Sequence, residues 1–270
     1  MGDRTAIGWV RNRDGQPGAT WNPWRGCRKV SVGCANCYMF RDQVRYGHDP
    51  AKVVRAAPAT FNRPLKWGPG TSVFTCSWSD FFIEDADPWR DEAWAIIKRT
   101  PDLHYLILTK RPENIEGRLP ADWPEGYGHV SIGITAETQD LLVKRWRHLM
   151  GCAVFNGGWG PWISAEPLLG YLNLDADYGE GVGDLISDHC RWLVLGCESG
   201  GGSKLGRMGL DPCAPAVSWM IAANQLVQDA RNRGVPVFVK QIPMDGKLLK
   251  DATDSRWPAW AVRQFPGGAL

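Results

Sequence analysis

Between residues 72 and 241 the chain alternates short, β-rich apolar runs with longer stretches of helical period, and this rhythm restricts the folds open to it. The predicted strands are SVFTCS (72–77), HYLILT (104–109), HVSIGIT (129–135), PWISAE (161–166), RWLVLG (191–196) and VPVFVKQ (235–241). Asp87-Pro88 supplies an N-cap and a first helical residue, after which Trp94, Ile97 and Lys98 fall at helical spacing. Helices are also predicted over Glu137–Leu149 and over Ala214–Arg233, the second stopped by Gly234, with a short one in RPENIEGRL. Upstream, Ala19–Asn22 predicts a short first strand and Asn36–Tyr46 a helix, whereas residues 48–72 read as an irregular lid or substrate-binding segment. Strand–helix alternation argues α/β with a parallel sheet, and no GxGxxG follows the first strand, so a Rossmann reading is weak. The expectation is a parallel, incomplete TIM-like (β/α) barrel, a single domain over 1–270 with an irregular N-terminal arm (1–17) and C-terminal tail (242–270).

Chemistry enters through TWNPWRGCRKVSVGCANCYMF, residues 20–40, which sets Cys27, Cys34 and Cys37 in a C-x6-C-x2-C array. Three thiolates this close in sequence can share one metal centre at little loop-closure cost. Three thiolates on a cubane of four irons would leave one iron open to a ligand. The competing readings are a zinc knuckle, with Cys76 or a distant His as fourth ligand, and no metal at all. The other five cysteines, Cys76, Cys152, Cys190, Cys197 and Cys213, read mostly as small buried hydrophobes. No apolar run has signal-peptide or membrane-span length, which predicts a cytoplasmic protein in which clustered Cys mean metal or catalysis rather than disulfides.

WNPWRGCRKVSVGCANCY resembles the opening motif of phage-associated, radical-SAM-like proteins with a three-cysteine motif. The resemblance continues in order through CSWSDFF (76–82), LTKRPE (108–113), GITAE (133–137), SAEPLLG (164–170), GCESG (196–200) and GVPVFVKQ (234–241). It departs at Val32, where the family usually has Pro, at Cys76, where Asn is common, at Cys197, where Gly is common, and in lacking a Trp-Gly after Gln241. The resemblance implies an incomplete barrel of the radical-SAM type, with a 4Fe–4S cluster on Cys27, Cys34 and Cys37 and S-adenosylmethionine on the open iron. It further implies reductive cleavage to a 5′-deoxyadenosyl radical, hydrogen abstraction from a substrate, a flavodoxin- or ferredoxin-like electron donor, and a host cytoplasmic location if the gene is a phage's.

Barrel chemistry gathers at the C-terminal strand ends, and there the sequence repeats hydroxyls, acids and bases that are costly to bury unpaired. Under the resemblance, Tyr38, Asn36, Ser77, Ser79, Asp80, Lys110, Thr135 and Glu137 are candidate cofactor contacts. Arg111, Glu166, Glu198, Lys240 and Gln241 are candidate substrate contacts. The competing reading is a ring of mutually satisfied ion pairs, such as Lys110 with Glu137 or Glu166. The glycine-rich ESGGGSKLG (198–206) lacks P-loop spacing and reads as a flexible loop over the barrel mouth.

The formal net charge of +2 says little about partners, but between Arg25 and Lys66 nine Lys and Arg residues are opposed only by Asp42 and Asp49. A basic zone beside a reactive centre suits a phosphate-bearing substrate. Among the 15 tryptophans, Trp94, Trp146 and Trp219 belong to helical segments and read as core, while Trp21, Trp24, Trp67 and Trp78 are candidates for stacking on bases. The function expected is therefore radical chemistry on a nucleotide or DNA base, in modification, rearrangement or repair. The alternatives are a zinc-containing nucleic-acid-binding protein without catalysis and an Fe–S redox or sensing module. The sequence does not fix an oligomeric state.

Overall fold

A computed structural model describes residues 3–123, 127–152, 159–177, 185–201, 204–205 and 215–266. Its strands are β1 (Ala19–Thr20), β2 (Trp24–Arg25), β3 (Val54–Arg55), β4 (Ser72–Thr75), β5 (His104–Thr109), β6 (Val130–Thr135), β7 (Trp162–Ala165), β8 (Leu193–Gly196), β9 (Ser199–Gly201), β10 (Lys204–Leu205), β11 (Val237–Met244) and β12 (Lys247–Leu249). Its α-helices are α1 (Tyr38–Arg45), α2 (Pro58–Phe61), α3 (Asp87–Arg99), α4 (Gln139–Gly151), α5 (Ile186–His189) and α6 (Pro215–Asn232). Ten strands form one sheet in the order β1-β4-β5-β6-β7-β8-β11-β12-β10-β9, and β2 pairs with β3 apart from it.

The expected parallel TIM-like barrel is not what forms. The sheet is mixed: β1 through β11 pair in parallel along the row, then β12, β10 and β9 continue it antiparallel. Regular strand–helix alternation also fails. Helices α3, α4 and α6 cover three crossovers, but β5 reaches β6 through two three-residue 3-10 turns and β7 reaches β8 through the four-residue α5. The reason lies in RPENIEGRL, where Pro112 and Gly117 leave no uninterrupted helical period. The chain past Gln241 is not irregular at its start either. β11 runs on to Met244 and folds back on β12 through Asp245-Gly246, at φ of 49° and 71°. Those positive values are what a two-residue hairpin of this twist requires. The glycine-rich stretch contributes strands β9 and β10, while its residues 202–203 and 206, like Cys213, lie outside the described residues.

Alternation along the strands gives the sheet two apolar faces. Val73, Ile107, Ile163, Leu195 and Val239 face a core shared with Trp94, Trp146 and Trp219, which are all buried. Phe74, Leu106, Trp162, Val194 and Phe238 face the other way and cluster with Trp9 and Trp192. Gly133 allows this packing, because a Cβ there would lie 2.4 Å from the Trp162 indole. Trp9 brings the N-terminal segment into that face, with ring centroids 4.7 Å from Phe74, 5.4 Å from Trp162 and 5.8 Å from Trp192. Among the described residues no helix is long and apolar enough to cross a membrane.

Candidate functional site

Residues from the ends of β1, β4, β5, β6 and β7, with Lys240 from the middle of β11, line a single cavity of about 530 Å³, so the sheet curls around it. The cysteine loop closes one side. Gly26, at φ 93°, turns the chain against the end of β4: its N–H donates to the Trp78 carbonyl (3.0 Å) and its carbonyl accepts from Ser79 Oγ (2.6 Å). Cys27 N then donates to the Pro50 carbonyl at 2.9 Å. Cys34 ends a short 3-10 turn and Cys37 precedes α1. All three sulfur-bearing residues line the cavity, and so does Cys76.

Two buried charge clusters hold this arrangement. Asp80 accepts at Oδ1 from Thr109 Oγ1 (2.7 Å) and Phe82 N (3.0 Å), and at Oδ2 from Lys110 N (2.8 Å) and Arg111 Nη1 (3.4 Å). Arg111 also reaches the cysteine loop, with Nη1 3.6 Å from Cys27 Sγ and Nη2 donating to the Arg28 carbonyl at 2.8 Å. In the second cluster, fully buried Glu137 accepts from Ser31 Oγ (2.6 Å) and Arg145 Nη1 (2.5 Å) and lies 3.3 Å from Lys110 Nζ. Burial alone would raise its carboxyl; Lys110 and Arg145, with the Ser31 and Arg145 hydrogen bonds, outweigh that and hold it below the ordinary carboxylate range. Burial pushes the Cys27 thiol up to about 11, the Asp80 charge adding to the effect and Arg111 opposing it. Burial likewise raises the Cys37 and Cys76 thiols.

Of the residues singled out in the sequence, Cys27, Cys34, Cys37, Tyr38, Ser77, Ser79, Asp80, Lys110, Arg111, Thr135, Glu166 and Lys240 line the cavity. Four others are not on its wall. Glu137 works behind it, tying the cysteine loop to α4, and Gln241 Nε2 donates to the Cys197 carbonyl at 2.8 Å. Asn36 and Glu198 bond each other at 2.9 Å, Nδ2 to Oε2. Lys240 Nζ pairs with Glu166 at 2.8 Å, so ion pairs of the kind the competing reading expects do form, Lys110 with Glu137 among them. Trp21 and Trp24, candidates for stacking, are core residues at 1% and 0% exposure; Trp78 lines the cavity and Trp67 is half-buried.

Residues 4–258 match one family model, described as "Protein of unknown function (DUF5131)". The chain belongs to that family. No curated protein and no solved structure matches it.

Sequence reasoning missed the N-terminal contribution: Arg4, Thr5, Ala6, Ile7 and Trp9 all border the cavity. The signal was the apolar stretch Ala6-Ile7-Gly8-Trp9-Val10 inside an otherwise polar segment.

The donor set suits a thiophilic metal group. Three thiols from one loop open into the cavity, with Cys76 from β4's end as a candidate fourth. Among the described residues, however, no three His, Cys, Asp or Glu side chains converge closely enough to hold one metal ion.

Proposed function

We propose that the protein is a radical S-adenosylmethionine enzyme acting on a nucleotide or a nucleic-acid base. The observation that carries this reading is the opening of Cys27, Cys34 and Cys37 into the same cavity as the strand-end hydroxyls, acids and cations. A volume of about 530 Å³ suits a small-molecule site, for which roughly 300–1,000 Å³ is usual. Cys27, Cys34 and Cys37 would hold a 4Fe–4S cluster. With S-adenosylmethionine bound, that group supplies one-electron carbon–sulfur cleavage and hydrogen abstraction, given a flavodoxin- or ferredoxin-like reductant.

The chain's own residues do the rest. Arg111 places positive charge beside Cys27, favouring its thiolate. Glu137 fixes the loop through Ser31. Trp9, Phe74, Leu108 and Phe40 give the cavity apolar wall that excludes water. Tyr38, Ser77, Thr135 and Ser164 offer hydroxyls, and Glu166 with Lys240 offers an acceptor beside a donor, for orienting bound molecules.

A second reading is a zinc site with Cys76 as fourth thiolate in a non-catalytic nucleic-acid-binding protein; Cys76 shares the wall with the loop thiols, but the four sulfurs would have to draw together to hold one ion. Anaerobic reconstitution with iron and sulfide separates the two. The enzyme reading expects roughly four irons per chain, an electron paramagnetic resonance spectrum that changes on adding S-adenosylmethionine, and 5′-deoxyadenosine once reductant is supplied. A colourless protein retaining one tight zinc ion refutes it.

A further inference from the structure

We propose that the base reaches the cavity as part of a single strand of nucleic acid, held on an aromatic and basic platform at the rim. What happens to the base inside rests on the function proposed above; the strand binding does not. Tyr46, 60% exposed, stacks on Trp78 with ring centroids 6.1 Å apart and 30° between planes. Trp78 itself lines the cavity, so the stack runs from solvent to the cavity wall. Tyr38, another wall residue, is 42% exposed and fixed through its hydroxyl to the Ser77 carbonyl at 2.7 Å.

Charge follows the same path. Arg41 and Arg45 lie one turn apart on α1, on the exposed stripe that begins with Tyr38. Arg41 Nη1 is steadied by the carbonyls of Asn36 and Ser199, each at 3.3 Å, which orient the guanidinium without neutralising it. Among the described residues Arg45 and Lys52 form no salt bridge, and both are exposed. Lys52 sits on the turn whose Pro50 carbonyl accepts from Cys27 N, beside the loop.

An exposed aromatic stack next to uncompensated cations is the surface that single-stranded nucleic acid recognises, bases on the rings and phosphates on the cations. A free nucleotide would occupy the cavity and leave Tyr46 unused. A duplex would keep its base faces hidden, and a base must leave its stack to enter an enclosed site.

The test uses the full chain and a fluorescently labelled oligodeoxynucleotide of about a dozen residues, a length within the usual site sizes. Binding is followed by anisotropy across a salt series, with thymidine monophosphate, the matching duplex and poly-glutamate as competitors. The single strand should bind most tightly. Tyr46→Ala should weaken it by about 5- to 150-fold, the loss of one stacked base. Arg41→Gln with Arg45→Gln should lower the salt slope by roughly 0.7 for each phosphate no longer neutralised. Far-UV circular dichroism confirms that these surface variants are folded. Equal binding of duplex or mononucleotide, or indifference to Tyr46→Ala, overturns the proposal. Poly-glutamate competing as well as the strand also overturns it, pointing instead to an acidic protein partner. Repeating the titration with and without iron separates the two proposals: strand binding by a chain that never loads iron retains this one and sinks the enzyme reading.

Discussion

Gly33 and Glu137 should behave as one unit although 104 residues of chain separate them, and a double-mutant cycle reads that coupling. Gly33 does not have a left-handed backbone, so only space excludes a larger residue there. A Cβ at that position would lie 2.3 Å from Glu137 Oε1, 2.5 Å from its Cγ and 2.7 Å from its Cδ. The carboxylate cannot retreat, being fully buried and bonded to Ser31 and Arg145. Gly33→Ala must therefore lift the cysteine loop, adding an overpacking cost of about 1–3 kcal/mol to the loss of a charge-assisted hydrogen bond of about 1.5–3 kcal/mol. Glu137→Ala alone leaves Arg145, 4% exposed, without its buried counter-charge, at a cost of about 3–5 kcal/mol. In the double variant the methyl added by Gly33→Ala enters the space that Glu137 vacates, and the Ser31 bond is already gone. The double variant should then be scarcely less stable than Glu137→Ala, which makes the coupling energy the whole cost of Gly33→Ala, about 2.5–6 kcal/mol. Urea denaturation followed by fluorescence and circular dichroism gives all four stabilities, provided the two probes coincide. Costs that add to within about 0.5 kcal/mol would refute the packing of this loop against Glu137.

Further outcomes follow from the same contacts. Cys76→Ser should leave iron loading intact if the cluster rests on the loop thiols alone; iron analysis showing its loss would make Cys76 a fourth cluster ligand and close the open iron. Trp9→Ala should cost about 3–5 kcal/mol in chemical denaturation. Trp9→Phe should cost far less, because the buried indole N–H has no partner among the described residues. Glu137 is held below the ordinary carboxylate range, so its stabilisation is present above that range and disappears as pH falls through its lowered folded value. A stability–pH curve should accordingly fall less steeply below about pH 4.5 in Glu137→Gln than in the parent, near the ordinary Glu value, the other lowered carboxylates such as Asp87 contributing equally to both.

The parallel strands were legible because each is a short β-branched or aromatic run bounded by turn residues, as HYLILT matches β5 residue for residue. Their closure was not legible. Whether a parallel row rolls up depends on its crossovers, and RPENIEGRL, where a helix is expected, is interrupted by Pro112 and Gly117. The β11–β12 hairpin was legible in principle, since Asp245-Gly246 between Val237–Met244 and Lys247–Leu249 is a strong short-range signal. The tryptophans and prolines that follow masked it. At the site, strand-end position found most of the hydroxyl, acidic and basic side chains on the cavity wall, because parallel strands deliver their C-terminal ends to one rim. It did not separate Glu137 and Gln241, whose partners lie behind the wall, from Glu166 and Lys240, whose side chains border the cavity. That distinction depends on distant chain, such as Arg145 and Cys197, that no local pattern encodes.

The ion pairs around the cavity differ in what they can do, and burial decides which. Asp80 and Arg111 have side chains only 5% exposed, and together they span the ends of β4 and β5 and the cysteine loop. No ligand arriving in the cavity gains by breaking such a pair, since removing one partner costs about 3–5 kcal/mol. Lys240 and Glu166 are 34% and 15% exposed, so water already competes for them and a ligand can replace one partner with its own charge. Under the proposed function, scaffold and recognition therefore separate within one ring of charges. Asp80→Asn should lower stability by several kcal/mol and impair metal loading together, because it releases Arg111 from the loop. Lys240→Ala should change stability by less than about 1 kcal/mol yet weaken binding of S-adenosylmethionine or of a nucleotide by about tenfold, one charge-assisted contact. Equilibrium dialysis beside denaturation measures both. If Lys240→Ala destabilises the fold as much as Asp80→Asn and leaves ligand affinity unchanged, the outer pair is scaffold as well, and recognition must fall to the hydroxyls of Thr135 and Ser164.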